Sequence, residues 1–160
     1  MLNFRIENYF KLVLSISLIS IISAYYIEFV LGHKPCNLCL IERIPYGLSI
    51  FLIALNFFLK KNTKFFILLL TLIFIFSFII SVYHFGIEQG FFQESPVCGL
   101  KDTGQILSKE ELLKQLSKST VSCKDVTFRV FGLSLTTINI GLSLFLIILS
   151  TKNFINYEKF

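Results

Sequence analysis

Charged residues are scarce in this sequence. Of its 160 residues, 16% are charged and 54% are hydrophobic, and the mean hydropathy is +0.74. An ordinary soluble domain has about 45–50% apolar residues, so the composition excludes that class and favours a single integral membrane domain over residues 1–160. Tryptophan is also absent, beside nineteen phenylalanines, and we attach no functional meaning to that bias.

Four long segments contain almost no charge, and crossing a bilayer takes about 20 mostly apolar residues. We predict an all-α membrane protein, a four-transmembrane-helix bundle. Its helices are expected at about 12–31, 41–59, 65–83 and 131–151, with outer loops at about 32–40 and 84–130. The first segment could instead be a cleaved signal peptide. Its apolar stretch is long for that purpose and no A-x-A site follows it, so a retained helix is favoured.

Acidic residues are missing from the short connector between the second and third helices, which is basic. The tails before the first helix and after the fourth are basic as well. The basic residues of these three regions are Arg5, Lys11, Lys60, Lys61, Lys64, Lys152 and Lys159. The positive-inside rule therefore predicts that both termini are cytoplasmic. The net charge of +5 then reflects membrane topology, and no nucleic-acid partner is expected.

The predicted inner side lacks cysteine, because all four cysteines fall in the two outer loops. Cys36 and Cys39 lie in the first loop, and Cys98 and Cys123 lie in the second. Disulfides persist in oxidising compartments, so the outer side is expected to be oxidising. If the membrane is a bacterial inner membrane, that side is the periplasm. A CxxC pair closes a small ring and usually lowers the pKa of one thiol, which indicates a reactive pair.

The second outer loop is predicted to contain a short interfacial helix at about 108–118. Ser108 and Glu111 form a capping box at its start, and leucines give it an apolar side that would rest on the membrane surface. Cys98 and Cys123 flank this helix. A disulfide between them would close a flexible loop, which suits a bond that a partner opens.

The residues after the CxxC pair also bear on thiol chemistry. Arg43 follows Cys39 by four residues, so the two would share a helical face. A guanidinium and a helix N-terminus at Cys39 would both stabilise a thiolate, and Glu42 would hold Arg43 or cap the helix start. Pro45 requires the regular helix to begin near Glu42 or to kink early. The alternative for Arg43 is a snorkelling residue at the lipid interface.

The run KPCNLCLIER at 34–43 resembles the K-P-C-x-L-C-x-x-E-R signature of the DsbB family of disulfide bond formation proteins. Further matches lie at 83–84, 88–90, 98–99 and 122–139. The resemblance covers essentially the whole chain, although the second outer loop is built differently from that of the best-known members.

Members of this family reoxidise a periplasmic thioredoxin-fold oxidase of the DsbA type and pass two electrons to a membrane quinone. The resemblance implies that Cys98–Cys123 is the disulfide that meets this partner. Cys98 would form the mixed disulfide, and Cys123 would exchange with Cys36. Cys39 would be released as a thiolate that faces the quinone.

The resemblance also implies a quinone site. Arg43 would stabilise the charge there, and His84, at the outer end of the third helix, would help to bind or protonate the quinone. The other reading of His84 is a histidine at the lipid interface. Ubiquinone is the default acceptor in an aerobic membrane, and menaquinone is the alternative.

Three alternatives stay open. A zinc site built from all four cysteines is disfavoured, because Cys98 and Cys123 are far apart in sequence whereas zinc ligands usually come in close pairs. A membrane scaffold with two inert disulfides would make little use of a CxxC ring beside an arginine. A vitamin K epoxide reductase-like enzyme would be expected to carry its CxxC near the end of the bundle. We therefore predict a protein-disulfide:quinone oxidoreductase without a metal.

Overall fold

A computed structural model provides the structure of the chain. It describes residues 2–59, 62–93, 98, 122–124, 128–130 and 132–158. The short helix predicted at 108–118 lies outside the described residues.

The described chain is mostly helical. Its helices are α1 (Leu2–Phe29), α2 (Asn37–Ile41), α3 (Ile44–Leu59), α4 (Thr63–Glu88) and α5 (Leu135–Glu158). Four spans are long and apolar enough to cross a membrane, and α2 and α3 together form one of them. The predicted four-helix membrane bundle is therefore confirmed.

The helix bounds differ from the hydropathy segments at several ends. Helix α1 begins at Leu2, well before position 12, and its exposed first turns contain an ion pair in which Lys11 Nζ lies 2.7 Å from Glu7 Oε1. Such pairs at a spacing of four residues stabilise a helix outside the apolar region. Helix α4 continues past position 83 to Glu88, which brings the start of the predicted second loop into the bundle.

A short hairpin precedes α5, so this helix begins at Leu135 and not at 131. Strands β1 (Arg129–Val130) and β2 (Leu133–Ser134) pair antiparallel, with Arg129 opposite Ser134. Gly132 has a φ of +84° in the connecting turn, a conformation that glycine adopts without steric cost. The hairpin delivers the chain to the outer end of α5.

Helix α4 packs most extensively against α5, while α1 packs against α3 and α3 against α4. Contact between α1 and α5 is limited, which leaves space between these two helices. The core is apolar and comprises Phe10, Val13, Ile53, Ile67, Leu70, Phe74 and Leu146 among its fully buried members. Side chains such as Phe29 and Phe58 point outward and are 74% and 87% exposed, as expected for a surface that faces lipid.

Buried hydroxyl pairs link the helices inside the bundle. Ser17 and Ser49 are 2.8 Å apart, and Ser77 and Ser143 are 3.0 Å apart, in each case between their Oγ atoms. Small polar residues let membrane helices approach closely and satisfy one another's hydrogen bonds. The bundle therefore holds the outer ends of α2, α4 and α5 in fixed relation.

Candidate functional site

The CxxC pair lies where the chain changes from extended to helical. Cys36 is the N-cap of α2, with φ −73° and ψ 168°, and its Sγ accepts a hydrogen bond from the backbone N–H of Cys39 at 3.2 Å. The sulfur thus satisfies one of the free N–H groups at a helix start. Cys39 lies in the first turn of α2, which begins at Asn37, so the prediction of a position at the helix N-terminus is confirmed.

Pro45 explains why α2 and α3 are separate helices. Proline has no N–H to donate, and its ring clashes with the carbonyl four residues earlier, which here belongs to Ile41. Helix α2 accordingly ends at Ile41, and α3 begins at Ile44 with Pro45 in its first turn, where proline is tolerated. Glu42 and Arg43 occupy the break between the helices, and their side chains interact with different helices.

All four cysteines are brought together at the outer end of the bundle. Cys36 and Cys39 are free thiols with their Sγ atoms 2.6 Å apart. Cys98 and Cys123 form a disulfide with a Cα–Cα distance of 5.4 Å, which is the pairing that the resemblance implies. Cys36, Cys98 and Cys123 belong to one buried cluster, and Cys39 packs against it.

The geometry argues against zinc. The Cys98–Cys123 bond leaves no site with four thiolates. Among the described residues, Cys36, Cys39 and His84 do place their ligand atoms within 4.8 Å of one another. Two thiolates on a tetrahedral zinc ion lie about 3.8 Å apart, because each Zn–S bond is about 2.3 Å. The 2.6 Å between the two sulfurs suits disulfide formation better than shared metal coordination.

His84 lies inside α4, one turn before its end, and is 1% exposed. Its Nε2 is 3.5 Å from Cys36 Sγ, and its Nδ1 is 2.9 Å from Glu42 Oε1 and 3.3 Å from Thr136 Oγ1. The reading of His84 as a histidine at the lipid interface was wrong, because α4 continues beyond it and points this position into the bundle. The arrangement is a thiol, an imidazole and a carboxylate in series.

The surroundings of Cys36 favour its thiolate. The hydrogen bond from the Cys39 thiol, with a further contribution from His84, lowers the pKa of Cys36 to about 4, although burial opposes this change. A low thiol pKa makes the sulfur a good leaving group and a reactive nucleophile at neutral pH. Cys36 is thus suited to disulfide exchange.

Glu42 is held by α4 and α5. Its Oε1 contacts His84, and its Oε2 accepts a hydrogen bond from Asn139 Nδ2 at 3.1 Å. The same Asn139 amide donates to Ser81 Oγ at 2.7 Å, and Asn139 Oδ1 accepts from the Tyr46 hydroxyl. Buried polar groups in a membrane bundle are costly unless they are paired in this way.

Arg43 is held by α1. Its Nη1 lies 2.5 Å from Glu28 Oε2, and its guanidinium carbon lies 5.1 Å from the centre of the Tyr25 ring. The expectation that Glu42 holds Arg43 was therefore wrong, and the partner is Glu28. The signal for Glu28 was present in the sequence, since it is the only charge in the first apolar segment. Asn139 gave a similar signal, because it is a polar amide within the fourth apolar segment.

Two cavities meet at this site. The first, which we name the thiol cavity, has a volume of about 70 Å³ and is lined by Cys36, Cys39, Arg43, His84 and Cys123, among others. The second, the α1–α5 cavity, has a volume of about 310 Å³. Its polar wall comprises Cys39, Glu42, Arg43, Tyr46, Thr136 and Asn139. The remaining lining comes from α1 and α5 and is largely apolar. Cys39 and Arg43 line both cavities.

Comparisons with known proteins agree with the sequence resemblance. The family model described as Disulfide bond formation protein DsbB matches residues 7–152. The protein named "Uncharacterized protein RP370", from Rickettsia prowazekii (strain Madrid E), is 29% identical over 137 residues, which cover 84% of this chain and 80% of the relative. No solved structure matches the chain. The matched range includes all four cysteines, Arg43 and His84.

Proposed function

We propose, since this chain belongs to the DsbB family of disulfide bond formation proteins, that it reoxidises a DsbA-type periplasmic dithiol oxidase and passes the electrons to a membrane quinone. The chain is a multi-pass inner-membrane oxidoreductase of disulfide bond formation, in a family whose members are quinone-linked. Beyond family membership, we propose the identity of the electron donor, the order of the thiol steps and the position of the quinone.

One observation carries this proposal: Cys39 lines both the thiol cavity and the α1–α5 cavity. Cys36 and Cys123, in contrast, line only the thiol cavity. One sulfur of the CxxC pair therefore faces the other disulfide, while its neighbour also faces the space between two lipid-exposed helices. This is the arrangement needed to pass electrons from protein thiols to an acceptor dissolved in lipid.

The thiol steps follow from this placement. The partner's thiolate would attack Cys98, form a mixed disulfide with it and release the Cys123 thiolate. Cys123 would then attack Cys36 within the thiol cavity, which breaks the Cys36–Cys39 bond and releases Cys39. The second thiol of the partner would resolve the mixed disulfide. The freed Cys98 thiolate would attack Cys123, re-form the Cys98–Cys123 bond and release Cys36. Each step exchanges one sulfur–sulfur bond for another, and two electrons reach the CxxC pair.

The α1–α5 cavity fits a quinone head group. Its volume of about 310 Å³ lies at the lower end of the roughly 300–1,000 Å³ that small-molecule pockets have. Apolar walls suit a ring with a lipid tail, and Arg43 offers N–H donors that can reach a carbonyl oxygen or an anion. A bound quinone accepts two electrons and two protons and becomes a quinol. Ubiquinone is the expected acceptor, and menaquinone is the alternative.

The proposed orientation places both termini in the cytoplasm and the cysteines in the periplasm. Lys64, at the start of α4, lies 5.2 Å from the ring centre of Phe154, near the end of α5. The basic start of α4 and the end of α5, which carries Lys152, therefore share one end of the bundle, and the cysteines lie at the other. Clustering of Lys and Arg on one side supports a cytoplasmic location for that end.

The decisive experiment is quinone reduction by the purified protein in detergent. A reduced DsbA-type protein would be the electron donor, and the absorbance of ubiquinone, or of menaquinone in parallel, would be followed. We expect turnover in the natural sequence and none in Cys39→Ser or Cys98→Ser. Ser15→Ala is the control, because Ser15 is exposed and bonds only to the carbonyl of Lys11 in its own helix.

The alternatives give different results in this assay. A scaffold with inert disulfides would show no turnover and would keep its disulfides after exposure to the reduced partner. A vitamin K epoxide reductase-like arrangement is disfavoured, because the CxxC pair lies at the start of the second span and not near the end of the bundle.

A further inference from the structure

Cys36 does not line the α1–α5 cavity. His84 and Glu42 lie between them: Cys36 Sγ is 3.5 Å from His84 Nε2, and His84 Nδ1 is 2.9 Å from Glu42 Oε1. Glu42 lines the α1–α5 cavity, whereas Cys36 and His84 do not. The three side chains therefore form a continuous chain of exchangeable protons from a thiol to the wall of the larger cavity.

The chemistry of the CxxC pair supplies protons that such a route could carry. Oxidation of two thiols to a disulfide forms one S–S bond, breaks two S–H bonds and releases two electrons and two protons. Reduction of a quinone to a quinol takes up two electrons and two protons. The proton of Cys39 is released at the α1–α5 cavity, because Cys39 lines it. The proton of Cys36 passes to His84, whose Nε2 faces Cys36 Sγ at 3.5 Å.

We propose that Glu42 carries the Cys36 proton from His84 to the α1–α5 cavity. This inference rests on the function proposed above. Because the surroundings of Cys36 favour its thiolate, the proton that Cys36 gives up is held by His84 Nε2, and His84 Nδ1 gives its own proton to Glu42 Oε1. The carboxyl group then releases the proton into the cavity that it lines. Imidazole is suited to this transfer because it can accept a proton on one nitrogen while it donates from the other.

Glu42 contacts His84 and is not paired with its sequence neighbour Arg43. The nearest cation in sequence, Arg43, is paired with Glu28 of α1. From α5, Asn139 donates to Glu42 Oε2 as a neutral amide. We therefore regard Asn139 as a positioning residue that holds the Glu42 side chain between His84 and the cavity.

Glu88 offers a competing route. Thr136 Oγ1 donates to Glu88 Oε1 at 2.6 Å and lies 3.3 Å from His84 Nδ1. Glu88 lines the thiol cavity and not the α1–α5 cavity. A proton moved to Glu88 would therefore lie at the thiol cavity, although Thr136 itself lines both cavities. The other ionisable groups near His84 are two thiols, that of Cys36 at the N-cap of α2 and that of Cys39 within α2.

The test compares Glu42→Gln with Glu88→Gln and with Glu7→Gln. Glutamine keeps the shape and most hydrogen bonds of glutamate but carries no acidic proton. General acid–base groups contribute about 10²–10⁴ in rate, so Glu42→Gln should lower kcat for quinone reduction at least about tenfold with little change in the quinone KM. Glu7→Gln is the matched control, since Glu7 pairs with Lys11 on the exposed surface of α1.

Two readouts separate proton transfer from structural damage. Added formate or acetate should restore part of the Glu42→Gln rate, because a small acid can replace the missing carboxyl group in the cavity. In the quinone-free protein, the infrared difference between the oxidised and reduced CxxC pair should contain a carboxyl band. Glu42→Gln should remove this band, and Glu7→Gln should keep it.

The outcomes distinguish the two proposals. If the natural sequence reduces no quinone, the proposed function fails. If it does, and Glu42→Gln turns over at the same rate with the carboxyl band intact, the relay through Glu42 is overturned. Loss of rate and band in Glu88→Gln but not in Glu42→Gln would overturn it in favour of the Thr136 route. Exchange with the reduced partner, measured without quinone, should be unchanged in Glu42→Gln.

Discussion

The thiol cavity and the α1–α5 cavity differ in size and in most of their lining, although they share Ile27, Cys39, Arg43, Leu135 and Thr136. The first is small and lined mostly by the loops and helix ends that bear the other cysteines, at about 70 Å³. The second is about 310 Å³ and lined mostly by the apolar faces of α1 and α5. This difference shows how a single CxxC pair can serve two reactions, since each reaction has its own side of the pair.

The local backbone creates that division. Cys36 caps α2 from outside the helix, and Cys39 lies in its first turn. The break after α2, which Pro45 requires, lets Glu42 contact α4 and α5 while Arg43 contacts α1. Glu42 and Arg43 are adjacent and opposite in charge, but they contact different helices. Both side chains line the α1–α5 cavity.

The largest expected effect comes from removing one sulfur of the pair. Cys36→Ser and Cys39→Ser should each abolish quinone reduction, because neither can form the CxxC disulfide. The two variants should differ in labelling. A lipid-soluble maleimide should label Cys39 in Cys36→Ser faster than Cys36 in Cys39→Ser, since only Cys39 lines the α1–α5 cavity. Mass spectrometry would measure the labelling, and equal rates would contradict the division into two cavities.

The ionisation of Cys36 gives the next largest effect. Its pKa is lowered to about 4 by the hydrogen bond from Cys39 and by His84. The thiolate should therefore persist as pH falls from neutral and disappear only near pH 4, whereas an ordinary thiol with a pKa near about 8.5 is almost fully protonated at pH 5. Ultraviolet thiolate absorbance would follow this in reduced protein that carries Cys98→Ser and Cys123→Ser.

Replacement of His84 tests the cause of that shift. His84→Asn removes the imidazole beside Cys36, so the pKa of Cys36 should rise and the thiolate should disappear at a higher pH. Tyr26→Phe on the exposed face of α1 is the control, with no expected change. An identical titration in His84→Asn would show that Cys39 alone stabilises the Cys36 thiolate.

Much of this architecture could be predicted from the sequence, because hydropathy and the KPCNLCLIER run are local signals. Four spans and the grouping of cysteines at one end required only segment length and the placement of Lys and Arg. The inward position of His84 could not be predicted, since the hydropathy of α4 falls near Val82 whereas its backbone helix continues to Glu88. The partners of Glu42 and Arg43 come from α1, α4 and α5, and no local pattern specifies such contacts.

Replacement of Arg43 should affect the reaction with quinone and not the exchange with the partner. Arg43→His should raise the quinone KM about tenfold, which corresponds to loss of a charge-assisted hydrogen bond of about 1.4 kcal/mol. Exchange with the reduced partner should keep its rate, because Cys36 and Cys123 are unchanged. Arg43→Lys is the informative companion, since it keeps the charge but loses the planar guanidinium. Unchanged quinone kinetics in Arg43→His would remove Arg43 from the quinone site.

Replacement of Glu28 should give the smallest effect on quinone reduction. Glu28→Gln removes the charge that holds Arg43 but leaves the guanidinium and the Tyr25 ring in place. A partly exposed ion pair contributes about 1 kcal/mol or less, so the quinone KM should rise only a few-fold, less than in Arg43→His. The double variant Glu28→Gln/Arg43→His should then be no worse than Arg43→His alone, because Glu28 acts through Arg43. Additive losses in quinone KM would instead show that Glu28 contributes to the α1–α5 cavity independently of Arg43.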